Sequence, residues 1–148
     1  MISIKNINLC LLALVFSFNL QAQVKPHKKS NGARPSALSM TNGKAIYGKI
    51  CVTCHQADGG GVQNMNPPLI KTTYVLGNKT QLISIVLNGF NEHIEIDGDT
   101  YSNVMAAHDY LKDQEIADVL TYVRNSFGNK ASAVTAAEVK KVRATKKS

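Results

Sequence analysis

The sequence predicts a small all-α domain, with about three core helices joined by long irregular loops. Three observations predict it. Apolar residues recur at helical spacing in three stretches of the 148-residue chain, and no stretch reads as a run of strand. The intervening segments carry glycine and proline in patterns that no regular helix tolerates.

Residues 1–22 come before that domain and read as a secretory signal. Lys5 supplies the positive start, Leu9 to Phe18 the apolar stretch, and Leu20-Gln21-Ala22 a cleavage site before Gln23. The apolar stretch is about a dozen residues long and is interrupted by Asn8 and Asn19, short of the roughly 20 that span a bilayer. Cys10 lies inside it, and Ile7-Asn8-Leu9 lacks the small residue that precedes a lipidated cysteine. Residues 23–40, with Pro26, Gly32 and Pro35 among several bases, predict a flexible basic leader.

From Thr41, Ala45, Ile46, Tyr47, Ile50 and Cys51 fall at helical spacing and form the first helix. The segment from Asp58 to Pro68 holds three consecutive glycines and a proline pair, so it is a loop. Leu82, Ile83, Ile85, Val86 and Leu87 make a short buried helix that starts near Asn78 and stops at Gly89. Asn91 to Tyr110 is irregular again. Asp113 to Phe127 then places Ile116, Val119, Leu120, Val123 and Phe127 on one stripe, ending at Gly128-Asn129. The domain thus covers residues 41–129. Beyond it, residues 130–148 read as a basic, solvated tail, in which Thr135-Ala136-Ala137-Glu138 is a capping box for a short helix to about Arg143.

The net charge of +7 belongs mainly to the two ends. Eight of the ten acids, from Glu92 to Asp118, share one stretch in which Lys112 is the only base. A nucleic-acid surface would interleave basic and aromatic residues on a folded face; that pattern is missing, and export argues against such a partner too.

The chemistry sits in Cys51-Val52-Thr53-Cys54-His55, a C-x-x-C-H sequence and the attachment signature of c-type haem. On a helix, residues i, i+3 and i+4 share a face, so two thiols can bond two vinyl groups while the next residue turns its imidazole to the iron. A redox dithiol would need a βαβ neighbourhood, which helical flanks and glycine loops do not supply. A zinc site from Cys51, Cys54, His93 and His108 would not follow the usual ligand spacing. The cofactor expected is one covalent haem c with its iron, and a lone C-x-x-C-H excludes a two-haem peroxidase.

Candidates for the second axial ligand are Met105, Met65, Met40, His93 and His108. Met65 is close in sequence to His55, Met40 precedes the core, and the two histidines sit on a polar, acidic loop. Met105 lies in a loop directly before the last helix, and a thioether there would favour the reduced iron.

Gly43-x-x-x-Tyr47-x-x-x-Cys51-x-x-Cys54-His55, Met105-Ala106-Ala107-His108 and the helix from Leu111 to Asn129 resemble the class I c-type cytochromes, bacterial monohaem members especially, over about residues 41–129. The resemblance implies that Gly43 lets the first and last helices cross closely, opposite Val119 and Tyr122. It implies Met105 as the distal ligand. Pro67-Pro68-Leu69 is similar to the family's proline loop, which implies that the Pro67 carbonyl accepts the ring N–H of His55. Two positions depart from the family pattern: Ala106 stands where proline often follows the ligand methionine, and Lys112 where serine or threonine caps the last helix.

These readings predict an electron-transfer protein and not an enzyme, since a filled sixth position leaves no place for substrate. It would work outside the cytoplasm, in the periplasm or at the outer face of the membrane. Its partners would be redox proteins, met as a free carrier or as a haem subunit of a dehydrogenase, oxidase or nitrite reductase, with the basic ends suited to a membrane surface or a membrane complex. The alternative is a five-coordinate, ligand-binding or peroxidase-like haem protein, if Met105 does not ligate.

Overall fold

A computed structural model describes residues 33–145. The signal segment, Cys10 and most of the basic leader lie outside the described residues. The elements run α1 (Ala37–Ile46), a π-helical turn (Tyr47–Cys51), α2 (Val52–His55), α3 (Thr73–Leu76), α4 (Lys79–Asn88), β1 (Ile94–Ile96), β2 (Asp99–Tyr101), α5 (Asp113–Asn125) and α6 (Ala136–Thr145). No described helix is long and apolar enough to cross a membrane.

α1 starts four residues earlier than its apolar pattern, because Ser36 caps it: the Ser36 hydroxyl oxygen accepts from Ser39 N at 3.0 Å. Residues 37–40 are therefore helix and not leader. α1 crosses α5 at Gly43, where a Cβ would meet Asp118 O at 2.1 Å and Tyr122 Cβ at 2.6 Å. Only a residue without a side chain permits that approach. Tyr122 stands opposite Gly43 as the resemblance implies, but the Asp118 carbonyl takes the other place and Val119 lines the cavity described below. The crossing is pinned by the buried Asp118 carboxylate, which accepts from Ser39 Oγ at 2.6 Å, Gln114 Nε2 at 2.9 Å and Asn42 Nδ2 at 3.3 Å.

α4 begins and ends where its sequence signals place it. The Asn78 side chain accepts from Thr80 N at 2.8 Å, and Gly89 follows the last residue at φ 76°. Leu82, Ile83, Val86 and Leu87 are buried against Ile116, Ala117, Val119, Leu120 and Val123 of α5 in one core cluster.

Two further features differ from the sequence expectation. β1 and β2 form an antiparallel hairpin, with Ile94 opposite Tyr101 and Ile96 opposite Asp99. Its two-residue turn, Asp97-Gly98, has φ of 53° and 88°, the positive pair that a tight hairpin demands. The second difference is the C-terminal segment. The segment is docked on one side: Val139 of α6 is fully buried, Val134 before it is 4% exposed, and Ala133 N donates to Ala33 O at 2.8 Å. Thr135 and Glu138 cap each other, with Thr135 N donating to Glu138 Oε2 at 2.8 Å. The segment's charge concealed a short apolar stripe, and one of its cations, Arg143, finds partners on the body of the domain.

A buried arginine and asparagine lock the loops behind α5. Arg124 donates through Nε to Ser132 O at 2.9 Å and through Nη1 to Val75 O, and burial holds its guanidinium below its ordinary pKa. Asn129 donates to Leu69 O at 2.8 Å and Val123 O at 2.9 Å, and its oxygen accepts from Lys71 N at 2.7 Å.

Candidate functional site

One cavity of about 270 Å³ opens between α2, α4, α5 and the loops. Leu69, Val75, Leu82, Val86, Leu120 and Val123 give it largely apolar walls. Cys51, Cys54, His55, Pro67 and Met105 all line it. Of the five sequence candidates for a second axial ligand, Met105 and His108 are on the lining.

The thiols and His55 come from the π turn and α2. A π turn carries an extra residue per turn, a distortion frequent at functional sites, and here it ends on Cys51, the first residue of the C-x-x-C-H sequence. Tyr47, 3% exposed, opens that turn and donates its hydroxyl to Gln56 O at 2.6 Å, bracing the residue after His55. Its ring meets Phe127 at 5.3 Å and Tyr122 at 5.5 Å. Cys51 and Cys54 are free thiols, half-buried and exposed respectively. Burial, with a smaller contribution from Cys54, pushes the Cys51 thiol up to about 11, so it is neutral at pH 7 and poorly suited to dithiol exchange, which needs a thiolate.

His55 is buried. Its Nδ1 lies 3.0 Å from Pro67 O, so Nδ1–H donates to that carbonyl and the other ring nitrogen keeps its lone pair for a metal. Burial lowers its pKa, the Pro67 carbonyl works the other way, and His108 adds to the lowering. The neutral ligand form is the result. The carbonyl reaches the ring because Gly61 gives it room: a Cβ on Gly61, at φ 68°, would stand 2.7 Å from Pro67 O.

The wall that carries Met105 is built differently. Met105 sits on an isolated antiparallel bridge with Phe90, Met105 N donating to Phe90 O at 2.8 Å and Phe90 N returning to Met105 O at 2.9 Å. Gly89 lets the bridge close, since its Cβ would stand 2.5 Å from Met105 O. Three residues on, His108 N donates to Val86 O of α4 at 2.8 Å, and the His108 ring meets the Tyr110 hydroxyl at 3.2 Å. Asn103 joins the two walls, donating from N to Met65 O at 3.2 Å and from Nδ2 to Asn66 Oδ1 at 3.2 Å.

The donor set fits a covalent haem: two thiols, a neutral imidazole and a thioether converge on one apolar cavity. Sequence reasoning missed three contributors. Ile94, Ile96 and Tyr101 of the hairpin line the cavity, and the signal for them was Asp97-Gly98 between alternating residues. For the part that Gly61 and Gly89 play in the two walls, the sequence carries no signal beyond their being glycine.

The comparisons agree with that chemistry. The family model described as Cytochrome c matches residues 40–127. The chain is 36% identical over 119 residues to a cytochrome c-552 of Thermus thermophilus, spanning 74% of this chain and 80% of that protein. It is 39% identical over 108 residues to the cytochrome c subunit of an alcohol dehydrogenase (quinone) of Gluconacetobacter polyoxogenes, 70% of this chain and 22% of that subunit. To the fructose dehydrogenase cytochrome subunit of Gluconobacter japonicus it is 33% identical over 123 residues, 78% of this chain and 24% of the subunit.

Proposed function

Because the chain belongs to the cytochrome c family and is an electron carrier with covalent haem c, we propose that Cys51 and Cys54 attach the haem and that His55 and Met105 are its axial ligands. The convergence of these four side chains on one apolar cavity carries the reading. The haem supplies reversible one-electron Fe(III)/Fe(II) exchange. The chain's own residues keep the rearrangement that accompanies it small. Pro67 fixes the His55 tautomer, the Phe90 bridge holds Met105 from the other side, and the apolar walls exclude water, so little moves as the charge changes.

Met105→Ala in the haem-loaded protein tests the ligand. The far-red absorption of sulfur-ligated ferric haem should vanish, and carbon monoxide should bind rapidly to the reduced form. An unchanged spectrum would remove Met105 from the role.

The exchange needs partners, and the surface suggests their charge. Val104, 72% exposed, lines the cavity mouth, and Met65, 50% exposed, is bonded to its neighbour Asn103. Glu92, Glu95 and Asp97 are exposed on the loop and hairpin that form that rim. A redox protein presenting positive charge around an apolar centre fits there, and their association should weaken as salt rises. Salt-independent stopped-flow kinetics would count against this. The names of the dehydrogenase subunits fit a role as the haem subunit of such an enzyme, and cytochrome c-552 fits a free carrier; co-purification separates the two. We place the protein outside the cytoplasm after removal of residues 1–22, so purified protein should begin at Gln23.

A further inference from the structure

The segment from Met105 into α5 lacks two local restraints. Ala106 stands in place of the proline common after the ligand, and Lys112, at the N-cap of α5, has no side-chain acceptor. Glu115 makes only the returning half of a capping box, accepting from Lys112 N at 2.7 Å. We propose that Arg143, on α6, is the positioning residue that holds Met105 in ligating position by fastening this segment from outside. The proposal rests on the reading of Met105 as the sixth ligand.

The geometry is a three-pronged clamp. Arg143 Nε donates to Asp113 Oδ1 at 2.7 Å, Nη1 to Asp109 O at 2.7 Å and Nη2 to Leu111 O at 2.7 Å. All three acceptors lie in the short stretch that follows Met105 and opens α5. The guanidinium is delivered from firm support, since α6 is anchored by the fully buried Val139 and by the Lys79–Glu138 ion pair with α4. Its side chain is 25% exposed, so these charge-assisted bonds are partly shielded from water. On its other side the same segment is bonded to α4 and its exit, through Phe90 and Val86. Met105 is therefore gripped between α4 and α6. A lysine could not replace the clamp: an ammonium is a point donor and cannot span a carboxylate and two separated carbonyls, whereas the planar fork can.

The test uses the haem-loaded protein and two readouts that general loosening would not move selectively. These are the affinity of the ferric form for imidazole, which must displace the thioether, and the temperature at which the far-red sulfur absorption disappears. Arg143→Lys should bind imidazole about tenfold more tightly, the worth of one charge-assisted hydrogen bond, and should lose the sulfur absorption well before its helices unfold. Lys79→Ala loosens α6 without touching the Met105 segment and should change imidazole affinity less than about twofold. Adding Ala106→Pro to Arg143→Lys should recover most of the lost ligation. The proposal is overturned if Arg143→Lys binds imidazole like the parent, if Lys79→Ala matches its effect, or if Ala106→Pro recovers nothing. A parent protein with no sulfur absorption would instead sink the reading of Met105, and the clamp with it.

Discussion

On one wall of the cavity, His55 is held by residues within a few turns of itself: the Tyr47 hydroxyl on Gln56 O at 2.6 Å, the Pro67 carbonyl on its ring at 3.0 Å, and Gly61 N donating to His55 O at 3.1 Å. On the other wall, the segment around Met105 depends on separate elements: Phe90 and Val86 from α4 and its exit, and Arg143 of α6, whose acceptor Asp109 is 34 residues away. Closing a longer loop costs more chain entropy, about 0.6 kcal/mol per doubling of length, so the contacts from α6 are the easier ones to loosen. With the proposed ligand set, the imidazole would therefore be the fixed ligand and the thioether the conditional one. A carrier with that ligand set would keep its haem through the wall that bears Cys51 and Cys54 and tune its potential through the other.

The strongest test of that asymmetry is a matched pair of glycines. Gly61 and Gly89 both have left-handed φ, 68° and 76°, and an added Cβ would stand 2.3 Å from Asn66 O in one case and 2.5 Å from Met105 O in the other. Each alanine variant should cost about 2–4 kcal/mol of stability through strain and overlap. Their spectra should diverge. Gly89→Ala should weaken or abolish the far-red sulfur absorption of the ferric protein. Gly61→Ala should keep it and raise the reduction potential, because an imidazole that loses its Nδ1–H bond to Pro67 donates less charge to iron. If both variants lost the sulfur absorption equally, the two walls would not be independent.

A smaller effect is expected at Asn129, which is 3% exposed and ties the end of the proline loop to α5 through Leu69 O, Val123 O and Lys71 N. Asn129→Ala should lower the unfolding free energy by about 2–3 kcal/mol, since it strands buried partners. Denaturant titration measures that loss, and the sulfur absorption should persist because Met105 lies on the other wall.

The same asymmetry explains what could be read from sequence. The fixed wall is a contiguous stretch from Tyr47 to Leu69, so a motif captures it, and α4 and α5 announced themselves through Asn78, Gly89 and a clean apolar stripe. Met105 was legible only by its place before the last helix. What holds it was not: no local rule links Arg143 to Asp109, and a charged tail reads as solvated until its few apolar residues, Val134 and Val139 here, are seen buried. The hairpin was missed because three-residue strands are too short for alternation to register, although Asp97-Gly98 did mark the turn. The start of α1 was missed because its first turn, Ala37 to Met40, has no apolar stripe and Ser36 alone signals it.

Tyr47→Phe probes the fixed wall more gently. The hydroxyl is removed and the ring kept, so the aromatic contacts with Tyr122 and Phe127 survive while Gln56 O loses its donor. A loss of about 1–2 kcal/mol in denaturant unfolding is expected, with sulfur ligation unchanged.

The smallest effect should come from the ion pair between Lys79 and Glu138, which docks α6 on α4 and touches neither ligand. Burial alone would raise the Glu138 carboxyl, but hydrogen bonds from Lys79 and Thr135 and the lysine's charge outweigh it and hold the carboxyl below its ordinary 4.5. Its folded pKa being depressed, the pair adds stability above pH 4.5, and that contribution is lost as pH falls through the folded value. The Glu138 side chain is 38% exposed, so solvent screening keeps the contribution under about 1 kcal/mol. Glu138→Gln should therefore flatten a shallow acid-side slope in the unfolding free energy and leave the spectrum alone. Should that variant weaken the sulfur absorption, α6 would be steering Met105 through its whole docking and not through Arg143, and the distant wall would be held more diffusely than the bonds to Asp109, Leu111 and Asp113 indicate.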